Sequence, residues 1–284
     1  MGLEVKLSPK ELPEMRKACR LAADTLEMIS EHIRVGITTD EINTIVHEYT
    51  LKHNARPAPL NYGASRHKKG FPKSVCTSVN EVVCHGIPCD YALKDGDIIN
   101  VDVTSVLPAQ KGYYGDTSAT FYVGQPSAVA IHLVEVCRQA LEIGIEQVKP
   151  GNRTGDIGYA IQRFVESKGC SIVREYTGHG IGRVFHGPPS ITHYGIPGRG
   201  AMLRPGMTFT IEPMINLIGP EIEHLADDWT VVTKDRSLSA QFEHTVTVTK
   251  TGCEVLTARH RPLQNSENLS WSKLFPMSCF IPSV

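Results

Sequence analysis

Apolar residues recur at three- and four-residue intervals in two separated stretches. In the first, Met15, Ala18, Cys19, Ala22, Leu26 and Ile29 fall on one face of a helix. In the second, Ile131, Val134, Leu141 and Ile145 do the same less cleanly. Each stretch is punctuated by a glycine, Gly36 or Gly151, and followed by a second helical pattern. The second patterns carry Ile42, Ile45, Val46 and Tyr49 in one case and Ile157, Ile161, Phe164 and Val165 in the other. Thr39 and Thr154 are the expected caps of these helices.

The similarity extends further along the chain. His85-Gly-Ile-Pro88 echoes His186-Gly-Pro-Pro189, and the segment Leu93–Asp102 echoes Leu203–Glu212. The strand-like run Gly115–Phe121 echoes Phe242–Val248. The order helix, helix, His-Gly-x-Pro, strand, strand holds in both halves. Short Gly/Pro turns recur by chance, but not readily in a conserved order. The pattern predicts a duplicated α+β domain with its halves about a pseudo-two-fold axis.

This register aligns Asp102 with Glu212 and Asp116 with Glu243, all on runs rich in Val, Ile, Thr and Phe. Carboxylates buried together in such runs repel one another, and an isolated buried charge is costly. A pair of divalent cations resolves that conflict. His179, in Thr177-Gly-His-Gly-Ile-Gly182, adds an imidazole where glycines permit close backbone approach. An oxygen-rich set with one histidine suits Mn(II), Fe(II), Co(II) or Zn(II) rather than a thiolate-held structural zinc. Taken singly, each residue has an ordinary reading as a turn, edge-strand or loop residue. The shared register favours metal binding. His85 and His186, symmetry-related and flanking the metal pair, read as groups that handle protons or a carbonyl oxygen.

Composition narrows the class. The 284 residues are 41% hydrophobic and 21% charged with a net charge of −1, which gives no global field toward nucleic acid or a membrane surface. No apolar run is long enough to span a bilayer, and the start lacks an apolar signal core. Lys6 stands where a myristoylation signal needs Ser or Thr. The expectation is a cytoplasmic protein. The eight cysteines form no C-x2-C pair and are expected to be reduced thiols.

Several motifs together resemble type I methionine aminopeptidases. Phe71-Pro-Lys-Ser-Val-Cys-Thr-Ser-Val-Asn-Glu-Val-Val-Cys-His-Gly-Ile-Pro88 is similar to that family's substrate-pocket signature. The segments 100–104, 115–117, 177–182, 207–214 and 241–245 resemble its metal motifs. The resemblance implies the pita-bread α+β fold, two pseudo-two-fold-related halves around a central antiparallel sheet. It implies removal of the initiator methionine when the second residue is small. Asp116 and Glu243 would bridge two divalent ions, Asp102 would ligate one, and His179 and Glu212 the other. The nucleophile would be a water between the ions, with Glu212 as its proton acceptor. His186 would stabilise the oxyanion and His85 would contact the scissile or following amide. Phe71, Cys76, Phe185 and Trp229 would surround the methionine side chain. Asn80, Val82 and Ser239 match positions that hold a monovalent cation in relatives. The partners implied are the N-termini of nascent polypeptides, with a ribosomal contact left open, and the implied oligomeric state is a monomer.

The expected division is an N-terminal extension over 1–9, a catalytic domain over 10–257 and a tail over 258–284. The chain departs from the family pattern at residues 63–70, inserted beside the pocket, and in the longer stretch from Asp102 to Asp116. Two alternatives remain open at this point: an X-Pro-specific peptidase of the same fold, and a non-catalytic binding module.

Overall fold

The structure, a computed structural model, describes residues 5–66 and 69–266. Four helices form where the apolar period predicts them: α1 (Leu12–Ser30), α2 (Thr39–Lys52), α3 (Ala128–Glu146) and α4 (Thr154–Ser167). All six apolar positions named for α1 are fully buried. So are Ile42 of α2 and Ile157, Ile161 and Val165 of α4.

The caps lie one residue earlier than expected. Thr38, extended at φ −85° and ψ 153°, accepts the Glu41 N–H through its hydroxyl, while the Glu41 carboxylate accepts the Thr38 N–H at 2.7 Å. Thr39 is already helical, and its hydroxyl donates to the Cys89 carbonyl at 3.0 Å. In the second half Arg153 holds the cap position, and its N–H donates to Asp156. The Thr154 hydroxyl instead accepts the Ala201 N–H. In both halves this threonine ties its helix to the segment before the next strand.

The main sheet is antiparallel throughout. Its strands are β1 (Arg56–Pro57), β2 (Cys76–Val79), β3 (Ile98–Leu107), β4 (Tyr113–Tyr122), β5 (Gly178–Gly180), β6 (Gly187–Ile191), β7 (Thr208–Ile211), β8 (Glu243–Val248) and β9 (Cys253–Val255). The order is β1-β3-β4-β8-β7-β5-β6, with β2 also on β3 and β9 also on β8. Side chains alternate along its central strands. Val101, Val103, Ala119, Phe121, Phe209, Ile211, Phe242 and Val246 face the helices and form the core. The other face carries Asn100, Asp102, Thr104, Asp116, Ser118, Thr210 and Glu243, so a polar row lies inside the molecule.

The duplication is visible in the backbone. Gly36 N–H donates to the Leu93 carbonyl, and Gly151 N–H donates to that of Leu203. Gly96 N–H donates to Val123, and Gly206 N–H to Val248. All four glycines have φ between 87° and 93°, a left-handed conformation that side chains resist. Isolated bridges join Thr38 to Ala92 and Arg153 to Met202 at matching places.

Residues at both ends pack on this domain. Lys6 bridges Met207, and the Leu7 N–H donates to Gly206. Residues 258–266, where the tail was expected to begin, run over α1 and β4. The His260 N–H donates to Glu27, Leu263 is buried, and the Asn265 carbonyl accepts the Tyr122 N–H. Trp271, Phe275 and Phe280, the aromatics of that tail, lie outside the described residues, as does Cys279. The other seven cysteines are free thiols. Among the described residues no helix is long and apolar enough to cross a membrane.

Candidate metal centre

Strand register sets the floor of the site. Ser118 in β4 pairs with Asp102 on one side and Glu243 on the other, and Thr104 pairs with Asp116. Three carboxylates on three adjacent strands therefore share one face. Glu212 follows the last residue of β7, and His179 is central in neighbouring β5. The glycines flanking His179 are required by packing. A Cβ at Gly178 would stand 2.3 Å from the Thr210 carbonyl oxygen, and one at Gly180 would stand 2.2 Å from that of Pro188.

Ligand atoms of Asp116, His179 and Glu243 all lie within 4.8 Å of one another. His179 Nε2 is 3.6 Å from Glu212 Oε1 and 3.7 Å from Asp116 Oδ2. Supporting hydrogen bonds come from neighbours on the same strand faces. The Thr104 hydroxyl donates to Asp116 Oδ1 at 2.7 Å, and the Thr210 hydroxyl to Glu212 Oε1 at 2.6 Å. Gln241 reaches Glu212 Oε2 at 3.4 Å, and the Glu212 N–H donates to His193 Nε2 at 3.1 Å.

Burial controls the electrostatics. It raises Asp102 to about 7 and Glu212 to about 8, the latter against the opposing Thr210 hydrogen bond. Asp116 and Glu243 are held well above the usual carboxylate range by burial and then by their neighbours' charges. Burial lowers His179 to about 3, so its contacts with the carboxyls are those of a neutral imidazole, not ion pairs. His85 and His186 are each lowered to about 4 for the same first reason, with charge from His224 and His85 respectively adding to it. Asp102 Oδ1 is buried with no hydrogen-bond partner among the described residues. A buried carboxylate oxygen without a donor, beside two further carboxyls and an imidazole, fits a cation ligand.

A cavity of about 220 Å³ opens on this floor. Every residue expected at the site lines it: Asp102, Asp116, His179, Glu212, Glu243, His85, His186, Phe71, Cys76, Phe185 and Trp229. Phe71 meets Trp229 edge to face at 5.4 Å, and Phe185 stacks on Tyr114 at 5.2 Å. The metal-competent residues and the apolar wall thus share one enclosure.

A family model described as metallopeptidase family M24 matches residues 13–250. This chain belongs to metallopeptidase family M24. The M24 chain is 52% identical over 255 residues to a methionine aminopeptidase of Rickettsia prowazekii, covering 89% of this chain and 95% of that protein. The crystal structure of methionine aminopeptidase from Rickettsia prowazekii superposes with a TM-score of 0.86 at 50% identity, over 90% of this chain and all of the other. The prolidase of Pyrococcus horikoshii OT3 superposes with a TM-score of 0.71 at 22% identity, covering 92% of this chain and 65% of that one, which establishes the shared fold alone. The fold is the pita-bread fold.

Three residues of the M24 cavity had no role assigned from the sequence: Pro59, Tyr62 and Thr104. Thr104 stands two residues from Asp102, so strand alternation alone assigns it the same face. Thr210 and Gln241 stand in the same relation to Glu212 and Glu243. Tyr62 stands in a stretch where no period marks it, and nothing in the sequence distinguishes His193. Asn80, Val82 and Ser239 lie away from the cavity. Ser239 N–H donates to the Asn80 carbonyl at 2.9 Å, and Val82 opens the strand Val82–Cys84.

Proposed function

We propose that this protein is a metal-dependent methionyl aminopeptidase that removes the initiator methionine from nascent polypeptides whose second residue is small. The observation that carries the reading is Asp102. Its buried oxygen, without a hydrogen-bond partner among the described residues, lies on the same strand face as Asp116 and Glu243, in a cavity walled by Phe71, Cys76, Phe185 and Trp229. A thioether side chain suits aromatic, polarisable walls.

Asp102, Asp116, His179, Glu212 and Glu243 would hold the divalent ions. Bound ions supply an activated water and a Lewis acid for the scissile carbonyl. Glu212, with Thr210 and Gln241 holding its carboxyl in place, accepts the proton of the attacking water. His186, a neutral imidazole, donates to the developing oxyanion. His85 contacts the scissile or following amide. Phe71, Cys76, Phe185 and Trp229 hold the methionine side chain so that its amine and carbonyl meet the carboxylate floor. Asn80, Val82 and Ser239 are assigned to a monovalent cation that would support the strand beside the site. The protein would act in the cytoplasm as a monomer.

The test is hydrolysis of Met-Ala-Ser by metal-stripped protein with Mn(II), Fe(II), Co(II) or Zn(II) added back, beside Glu212→Gln. Metal-dependent methionine release that is lost in the variant supports the proposal. Faster cleavage of an X-Pro peptide would move the specificity to the prolidase-like alternative. No release with any metal, from folded protein, would point to a binding module.

A further inference from the structure

Tyr62 Oη lies 2.8 Å from His186 Nδ1. The tyrosine is pinned from its own backbone. Its N–H donates to the Pro59 carbonyl at 2.8 Å, and its carbonyl accepts the Phe71 N–H at 2.9 Å. Its ring meets Phe185 edge to face at 5.2 Å, and Phe185 in turn stacks on His186 at 4.0 Å. His186 is therefore gripped by a phenol at one nitrogen and an aromatic plane on its face.

A neutral imidazole has one N–H and one lone pair, and the partner of one nitrogen decides the state of the other. A phenol oxygen shares its lone pairs with the ring, which makes it a better donor than acceptor. The basic nitrogen of a neutral imidazole is a strong acceptor. The phenol O–H then points at Nδ1 and the imidazole proton stays on Nε2.

We propose that Tyr62 is a positioning residue that fixes His186 as the Nε2–H tautomer, so that a donor rather than a lone pair faces the reacting carbonyl. This rests on the reading of His186 as the oxyanion donor. The other tautomer would set a lone pair against an oxyanion and oppose the transition state. The Asn61 N–H is bonded to the Phe71 carbonyl at 2.8 Å, which ties the backbone beside Tyr62 to that beside the pocket wall.

The experiment uses the full chain labelled with ¹⁵N-histidine and loaded with Zn(II), read by two-bond ¹H–¹⁵N correlation. His186 is assigned by the signal missing from His186→Gln. The expected result is the Nε2–H pattern for His186 in the wild type. Tyr62→Phe, which keeps the ring packing, should shift that signal toward a mixture of tautomers. It should also lower kcat on Met-Ala-Ser about tenfold with KM little changed. A proton on Nδ1 in the wild type overturns the proposal, as does an unchanged tautomer or an unchanged kcat in Tyr62→Phe. Should the wild type release no methionine, the function reading fails on that result, and the spectra alone still decide the tautomer.

Discussion

The Thr104 hydroxyl donates to Asp116 Oδ1 at 2.7 Å, from the residue directly across the β3–β4 ladder. This bond stabilises the ionised carboxylate against burial that drives it the other way. Thr104→Val keeps the shape and removes the donor. Metal affinity should fall about 10- to 100-fold, measured by titration of metal-free protein in a metal buffer, with the fold intact by circular dichroism.

Glu212→Gln should lower kcat for Met-Ala-Ser by at least about a hundredfold. The same variant removes a carboxyl that burial disfavours in its charged form. Metal-free Glu212→Gln should therefore melt higher than the metal-free wild type at pH 8, read by calorimetry. A lower melting temperature would mean that the Thr210 and Gln241 hydrogen bonds outweigh the cost of burying the charge.

The metal-free protein should lose stability as pH rises from about 6.5 to 8.5. A carboxyl raised to about 7 or 8 in the folded state binds a proton that the unfolded chain has already released, as at Asp102 and Glu212. That contribution is full below the unfolded value, near 4, and vanishes as pH passes the folded value. His179, His85 and His186 are neutral in both states through most of this window, so they do not mask the trend. Divalent metal should remove the slope and release protons on binding. Thermal melts with and without Zn(II) across the series test both points.

His186→Gln should reduce kcat by about a hundredfold with a smaller change in KM. Steady-state kinetics on Met-Ala-Ser at saturating metal would show it. A change confined to KM would remove His186 from the transition state.

Gly178→Ala forces a methyl group to within 2.3 Å of the Thr210 carbonyl oxygen, where backbone faces backbone. Overpacking of this kind costs about 1–3 kcal/mol. Urea denaturation should show that loss, and metal affinity should fall with it, because His179 is the next residue.

Much of this site is readable from residue order. Asp102, Asp116, Glu212 and Glu243 lie in segments that echo one another, and strand alternation places each opposite core residues such as Val101 and Phe242. The capping shift was also legible. Glu41 lies three residues after Thr38, the spacing of a reciprocal cap, whereas Thr39 has no such partner. Arg153 offered no comparable signal, because its backbone alone makes the capping bond. His193 was hidden because a buried acceptor for one backbone N–H leaves no pattern along the chain. Tyr62 was hidden because its partner, His186, is remote in sequence and the loop between Tyr62 and Phe71 has no period.

The paired halves are not equal at the site, and the inequality has a direction. The spacing from Ser78 to His85 equals that from His179 to His186, so a hydroxyl in one half stands where the other half has an imidazole. A cradle with perfect two-fold symmetry would receive a peptide and its reverse alike. One half offers an imidazole, His179, to the carboxylate floor and the other half does not, so the two sides are chemically different, and a chain entering between them meets a site with a head and a tail.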